Sequence, residues 1–172
     1  RAWSLASPAD VLLARWRVAD RSLRRLLGDA IGSAELAELA ELAREASTVL
    51  APDGRPLYAG HAGLDWPAET HLVMWHAITL LREYRGDGHV AALLAAKLSG
   101  IEAIATHVAT GRGMTTEAAK LRGGWSDAQW DEAIARLNAR GLMANDQLTE
   151  AGVALREHVE RETDRMDVMA WR

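Results

Sequence analysis

The side chains best able to do chemistry lie between residues 66 and 89: Trp66, Trp75, His76, Arg82, Glu83, Arg85, Asp87 and His89. General acid–base work needs a histidine and a carboxylate near one pocket, and His76, Glu83, Asp87 and His89 supply both kinds of group. Arginines beside aromatic rings suit an anionic or planar small molecule, here with Trp66, Trp75 and Tyr84 as walls. The same charges have a structural reading, which leads. Gly86 and Gly88 are expected to break or kink a helix, and Arg82, Glu83, Arg85, Asp87 and His89 would then satisfy exposed backbone groups or one another. Asp87 would serve as N-cap of the next helix. No residue is assigned a catalytic role on these patterns, and no cofactor is implied.

Two further readings of this stretch carry little. The tripeptide Arg85-Gly86-Asp87 recurs by chance in a cysteine-free, alanine-rich chain. A metal site lacks its spacing: His71 and His76 are five apart and point to different sides of a helix, where ligands four apart would share a face. His76 and Glu83 do share a face, but they complete no tight ligand set, and no metal is expected.

The elements that must position these groups are helical. Phenylalanine is absent, tyrosine is scarce, and alanine and leucine dominate. Ser7-Pro8 starts a helix carrying Leu12, Trp16, Ala19, Leu23 and Leu26, which Gly28 stops. Ser33 opens a second, striped by Leu36, Leu39, Ala43, Ala46 and Leu50 and ended by Pro52. Residues 51–67 read as one long loop, a lid or a linker. A third helix runs through HLVMWHAITLLREY, and helical spacing resumes after the glycines in HVAALLAAKL. Ser99 with Glu102 and Ser126 with Gln129 are capping boxes, Thr115 caps a short helix between them, Asn145-Asp146 is a turn, and Thr149 caps a last helix. The expected class is all-α, mainly helical, with a C-terminal winged helix-turn-helix having a very short wing. The expected division is 1–66, an N-terminal helical segment and loop; 67–98, central helices with the charged kink; and 99–172, the helix-turn-helix-like module.

Composition narrows the classes. The 172 residues can bury a sizeable core, and their formal net charge is −4. Residues 1–100 carry 11 Lys and Arg against 12 Asp and Glu, and residues 101–172 carry 9 against 12, so neither half has the basic surplus of a strong phosphate binder. No apolar run approaches the roughly 18 residues of a membrane span, no signal-peptide pattern opens the chain, and there is no cysteine; a cytoplasmic location without membrane contact is expected. Because the sequence starts at Arg1, an N-terminal part of the same gene product is expected to precede it.

Within residues 99–166 the order helix, short helix, longer helix, clipped turn, helix is the winged helix-turn-helix plan, with 126–140 in the recognition position. The phrase ARLNARGLMANDQLTEAGVALREHVE at 135–160 resembles MarR-type regulators where the recognition helix ends, the wing comes next and LTEAG begins another helix. Its electrostatics run the other way. Asp127, Asp131 and Glu132 suit the helix dipole but would repel phosphates, and the wing MANDQ has no basic residue. Lys120, Arg122, Arg136 and Arg140 are the only candidate DNA contacts.

MWHAITLLREYRGDGHVAAL at 74–93, GRPLYAGHAGLDWP at 54–67, RGGWSDAQWDEAIARLNARGL at 122–142 and LTEAGVALREHVERETDRM at 148–166 together resemble the SalK-like helix-turn-helix proteins of actinobacteria over nearly the whole chain. The resemblance implies a helix-turn-helix fold, a further N-terminal section before Ala2-Trp3, and for some members a setting among natural-product genes. It assigns no chemical role to any residue. The expected function is a regulatory module that binds a small molecule, with DNA binding weak or lost and a homodimer among the candidate assemblies. The alternatives are a MarR-like DNA-binding regulator and an enzyme or accessory protein of secondary metabolism.

Overall fold

Serines and threonines set the starts of the helices. In the computed structural model, which describes residues 4–172, eight α-helices and one two-stranded hairpin succeed one another. Ser7, Ser33, Ser99, Thr115 and Ser126 each turn a side-chain oxygen to a backbone N–H three residues on, and Thr149 does the same for Gly152 at 3.1 Å. Ser7 with Asp10, Ser99 with Glu102 and Ser126 with Gln129 close reciprocal capping boxes. The chain divides into two units, one running up to Asp87 and resuming at Asp167–Arg172, the other Gly88–Met166.

The first unit holds α1 (Pro8–Leu27), a 3-10 turn (Gly28–Gly32), α2 (Ala34–Thr48), α3 (Pro56–Ala62), most of α4 (Thr70–Ala95) and a closing 3-10 turn (Val168–Trp171). Leu36, Ala40 and Met74 form one core with Leu23, Leu27, Ile31 and Val73 against them. The buried stripe of α2 is Leu36, Ala40, Ala43 and Ser47, continued by Leu50, whereas Leu39 is exposed; in α1 it is Leu27 rather than Leu26 that turns inward. A second core joins Leu50, Tyr58, Leu80, Tyr84 and Ala170, with the two tyrosine rings edge to face at 5.3 Å.

Three expectations fail here. The helix does not break at Gly86 and Gly88: α4 runs uninterrupted from Thr70 to Ala95. Glycine in a helix costs about 1 kcal/mol relative to alanine, and the buried face of α4 (Leu72, Met74, Ala77, Leu80, Tyr84) outweighs that. With no second helix starting there, Asp87 is no local N-cap. Its Oδ2 instead accepts the backbone N–H groups of Leu57 and Tyr58, each at 3.0 Å, at the start of α3. The stretch 51–67, expected as a loop, therefore contains a helix, opened by Pro56 and held by a carboxylate about thirty residues later in the sequence.

The second unit holds α5 (Gly100–Val108), α6 (Thr116–Gly123), α7 (Asp127–Ala139), the hairpin β1 (Met143–Ala144) and β2 (Gln147–Leu148), and α8 (Glu150–Asp167) up to Met166. Leu98, Ala105, Ala119, Trp130, Leu137, Leu142 and Met143 form its core. Asn145 (φ 50°) and Asp146 (φ 60°) make the left-handed two-residue turn, pairing Met143 with Leu148 and Ala144 with Gln147. No single helix among the described residues is long and apolar enough to cross a membrane.

Two glycines should respond to alanine in opposite ways. A Cβ at Gly86 would meet only Glu83 Oε2, at 3.9 Å, so Gly86→Ala should raise stability by about 0.5–1 kcal/mol in denaturant unfolding. A Cβ at Gly152 would fall 2.1 Å from the carbonyl oxygen of Leu142, which already accepts the Thr149 N–H at 3.1 Å. Gly152→Ala should therefore cost roughly 1–3 kcal/mol.

Candidate functional site

The first unit contains one concentration of buried, unsatisfied polar groups. His76 on α4 has no solvent exposure, and neither ring nitrogen has a hydrogen-bond partner. Arg15 Nη1 on α1 and His61 Nδ1 on α3 are likewise buried and unpartnered, and these four nitrogens are all the buried side-chain polar atoms so orphaned among the described residues. The three residues act on one another electrostatically, with Glu83 as the nearby anion. Three indoles surround them. Trp66 stands edge-on to His76 at 4.8 Å, Trp16 lies 5.5 Å from the same ring, and the Arg15 guanidinium sits 4.2 Å from the Trp75 ring centroid. Arg44 lies 5.0 Å over Trp66.

Burial decides the charge states. Desolvation, with help from the Arg15 cation and His61, pushes His76 down to about 4, so the ring is neutral at neutral pH. His61 is lowered by burial first and by Arg15 second, with Glu83 opposing. Burial also lowers Arg15, again opposed by Glu83. A neutral imidazole presents one donor and one acceptor, and a guanidinium only donors. The cluster can thus grip a group that accepts hydrogen bonds, carries negative charge, and is flat enough to lie against indoles. Each buried polar group without a partner costs about 1–3 kcal/mol, which a guest of that chemistry would return.

Of the eight residues singled out in the sequence, Trp66, Trp75, His76 and Glu83 meet at this cluster. The other four have separate partners. Arg82 is largely exposed and pairs with Glu83 from outside. Arg85 lies 4.0 Å from the buried carboxylate of Asp167, which also accepts from Trp171 Nε1 at 3.0 Å. Asp87 is taken up by the α3 amides, and His89 Nδ1 lies 3.0 Å from Thr163 Oγ1 in the second unit. Among the described residues no three His, Asp or Glu side chains gather as a metal-binding group.

Sequence reasoning missed Arg15, Trp16 and His61. Arg15 could have been found, since it sits beside Trp16 on the face that also carries Leu12 and Ala19, an odd place for a charge. His61 gave no signal, because the stretch that holds it reads as a loop.

The candidate DNA-contacting side chains are mostly engaged within the second unit. Lys120 Nζ donates to Asp127 at 2.8 Å, and Arg136 Nε donates to the buried Glu102 at 3.0 Å. Arg140 donates to the carbonyls of Lys97 (2.7 Å) and Ala96 (3.0 Å). Arg122 is exposed.

The depressed histidine fixes a pH dependence. In the unfolded chain His76 takes up a proton below about pH 6.5, and in the folded protein only near 4. The unfolded state therefore binds more protons in that window, and stability is lost as pH falls through it. The His76 contribution should be on the order of 3 kcal/mol, with His61 acting in the same direction. Thermal melts between pH 7 and pH 4 should show a falling midpoint, and His76→Phe should flatten that fall.

A family model described as a helix-turn-helix family matches residues 1–172. No curated protein and no solved structure matches the chain. The helices α5 to α8, ordered as the sequence anticipated and joined by tight capped turns, accord with the family match, and the chain belongs to this helix-turn-helix family.

Proposed function

We propose that this chain is a regulatory module that binds a small molecule, its second unit a winged helix-turn-helix with a very short wing and little affinity for DNA. One observation carries the ligand reading. Every orphaned buried side-chain nitrogen among the described residues falls on Arg15, His61 or His76, inside a ring of tryptophans. Native proteins leave few buried polar groups unsatisfied, and such groups gathered in one place mark a site for a guest. The guest is a planar organic anion: its charged end meets Arg15 and the imidazoles, and its flat body lies against Trp16, Trp66 and Trp75.

The weakness toward DNA comes from α7. Its first turns expose Asp127, Asp131 and Glu132, and Lys120 and Arg136 are already paired with carboxylates. Duplex phosphates dominate affinity, and a helix that brings carboxylates toward them is repelled. The second reading is a MarR-like operator-binding regulator. The order α5, α6, α7, hairpin, α8 favours it, with the α7 segment as reading helix.

Native mass spectrometry of the protein purified from its own cells tests the ligand, with the double variant Arg15→Gln/His76→Phe as comparison. An organic adduct on the parent and a bare variant are expected; bare parent protein, or an adduct equally retained by the variant, removes the reading. Fluorescence anisotropy with random duplex DNA at about 50 mM salt should give binding weaker than about 10 µM. Tighter, strongly salt-dependent binding would make the operator-binding reading the better one.

A further inference from the structure

A separate cleft of about 820 Å³ opens in the second unit, bordered by the end of α5, the loop after it, β2 and α8. Its floor carries Arg156, a half-buried guanidinium that makes no ion pair among the described residues. Arg156 Nη1 donates to Thr106 Oγ1 at 3.3 Å, and Nη2 lies 3.4 Å from His107 Nδ1, so both its contacts are long and neither partner is a carboxylate. Thr106 spends its own proton on the Ala103 carbonyl at 2.9 Å, which fixes its hydroxyl as the acceptor toward Arg156. Burial lowers the Arg156 pKa, with Glu160 opposing. A guanidinium has five N–H donors, and these two contacts leave at least three of them for a guest.

The loop over this floor is shaped to stay close. Gly111 (φ 69°) and Gly113 (φ 107°) take left-handed backbone conformations, and a Cβ on Gly113 would fall 2.9 Å from His107 Nε2. The loop thus lies down on the imidazole edge and sets the exposed Arg112 at the rim of the same cleft. Leu148 and Val153 add apolar wall. The α8 wall also carries Glu157, paired with Arg161 at 3.8 Å, Glu160, whose charge acts on Arg156, and Asp164. Arg156, bonded to the end of α5, and Arg112, in the loop after it, set two guanidiniums on the α5 side of the cleft.

We propose that this cleft binds a small molecule with an oxyanion head, its carboxylate or phosphate on Arg156 and Arg112. The volume lies in the range of small-ligand sites, and Arg–oxyanion contacts are charge-assisted and directional, which returns the desolvation already incurred at Arg156. The site does not depend on the tryptophan-ringed cluster of the first unit. A molecule seated here touches both the loop after α5 and the hairpin strand β2, so its binding joins the two segments next to α7 in a single contact.

The test is a titration of backbone amide NMR signals of the full chain with three probes: benzoate, 4-aminobenzoate and inorganic phosphate. Saturable shifts at residues 107–113 and 147–156 are expected with at least one probe, separately from any that a benzoate causes at the tryptophan cluster of the first unit. Preference for the benzoates identifies a carboxylate head, and preference for phosphate a phosphoryl head. Arg156→Lys, which keeps the charge but loses the fork, and Arg112→Gln, at the exposed rim, should each weaken binding by about tenfold with the folded spectrum retained. His76→Phe should leave the affinity unchanged, which separates this site from the first. Absence of saturable shifts with all three probes up to about 10 mM, beyond the weak end of specific binding, overturns the proposal. So does unchanged affinity in both arginine variants.

Discussion

A single carboxylate oxygen holds the first unit's site in register. Asp87 Oδ2 takes two backbone amides at the start of α3, a helix of seven residues that would be marginal by itself. Neighbouring ties lie close by: Tyr58 donates its hydroxyl to the Leu50 carbonyl at 3.1 Å, and Arg55 donates to the Tyr84 carbonyl at 2.6 Å while lying over the Tyr84 ring. With α3 fixed at its first turn, His61 in its last turn arrives beside Arg15 and His76. An ion–amide bond at one end of the short helix thus locates a half-buried imidazole at the other.

The two units manage charge in contrasting ways. In the first, a buried histidine lies beside a half-buried arginine and a second histidine, and burial takes the charge off the His76 ring. In the second, most of the cations close to α7 are spent on internal partners: Glu102, Asp127 and two backbone carbonyls. Arg136 bonds to a buried carboxylate that also closes the Ser99 capping box, so moving it toward a phosphate would leave Glu102 short of a partner. The helix-turn-helix family match and the internal pairing of basic side chains beside α7 thus stand together in this chain.

Much of the architecture was legible in the residues because it is written locally. Caps at Ser7, Ser33, Ser99, Thr115, Ser126 and Thr149, and the left-handed turn at Asn145-Asp146, depend on neighbours within four positions. The errors arose where a distant partner decides. Gly86 and Gly88 read as a break, but a buried face spread over several turns of α4 holds the helix together. Asp87 read as a cap for a helix after it, and it caps one that lies thirty residues before it. Trp75, His76 and Glu83 come together because they share α4, whereas Arg15 and His61 stand on other helices and only tertiary packing brings them in. Arg82, Arg85, Asp87 and His89 lie near the same stretch of sequence yet face different neighbours, since a helix turns successive side chains by about 100°.

The ring of tryptophans has an optical consequence. Trp16, Trp66 and Trp75 bring indoles close to an imidazole or a guanidinium, and two of them stand 5.4 Å apart. Protonation of a histidine or arrival of an aromatic guest at this spot would change the emission of several of the chain's own fluorophores at once.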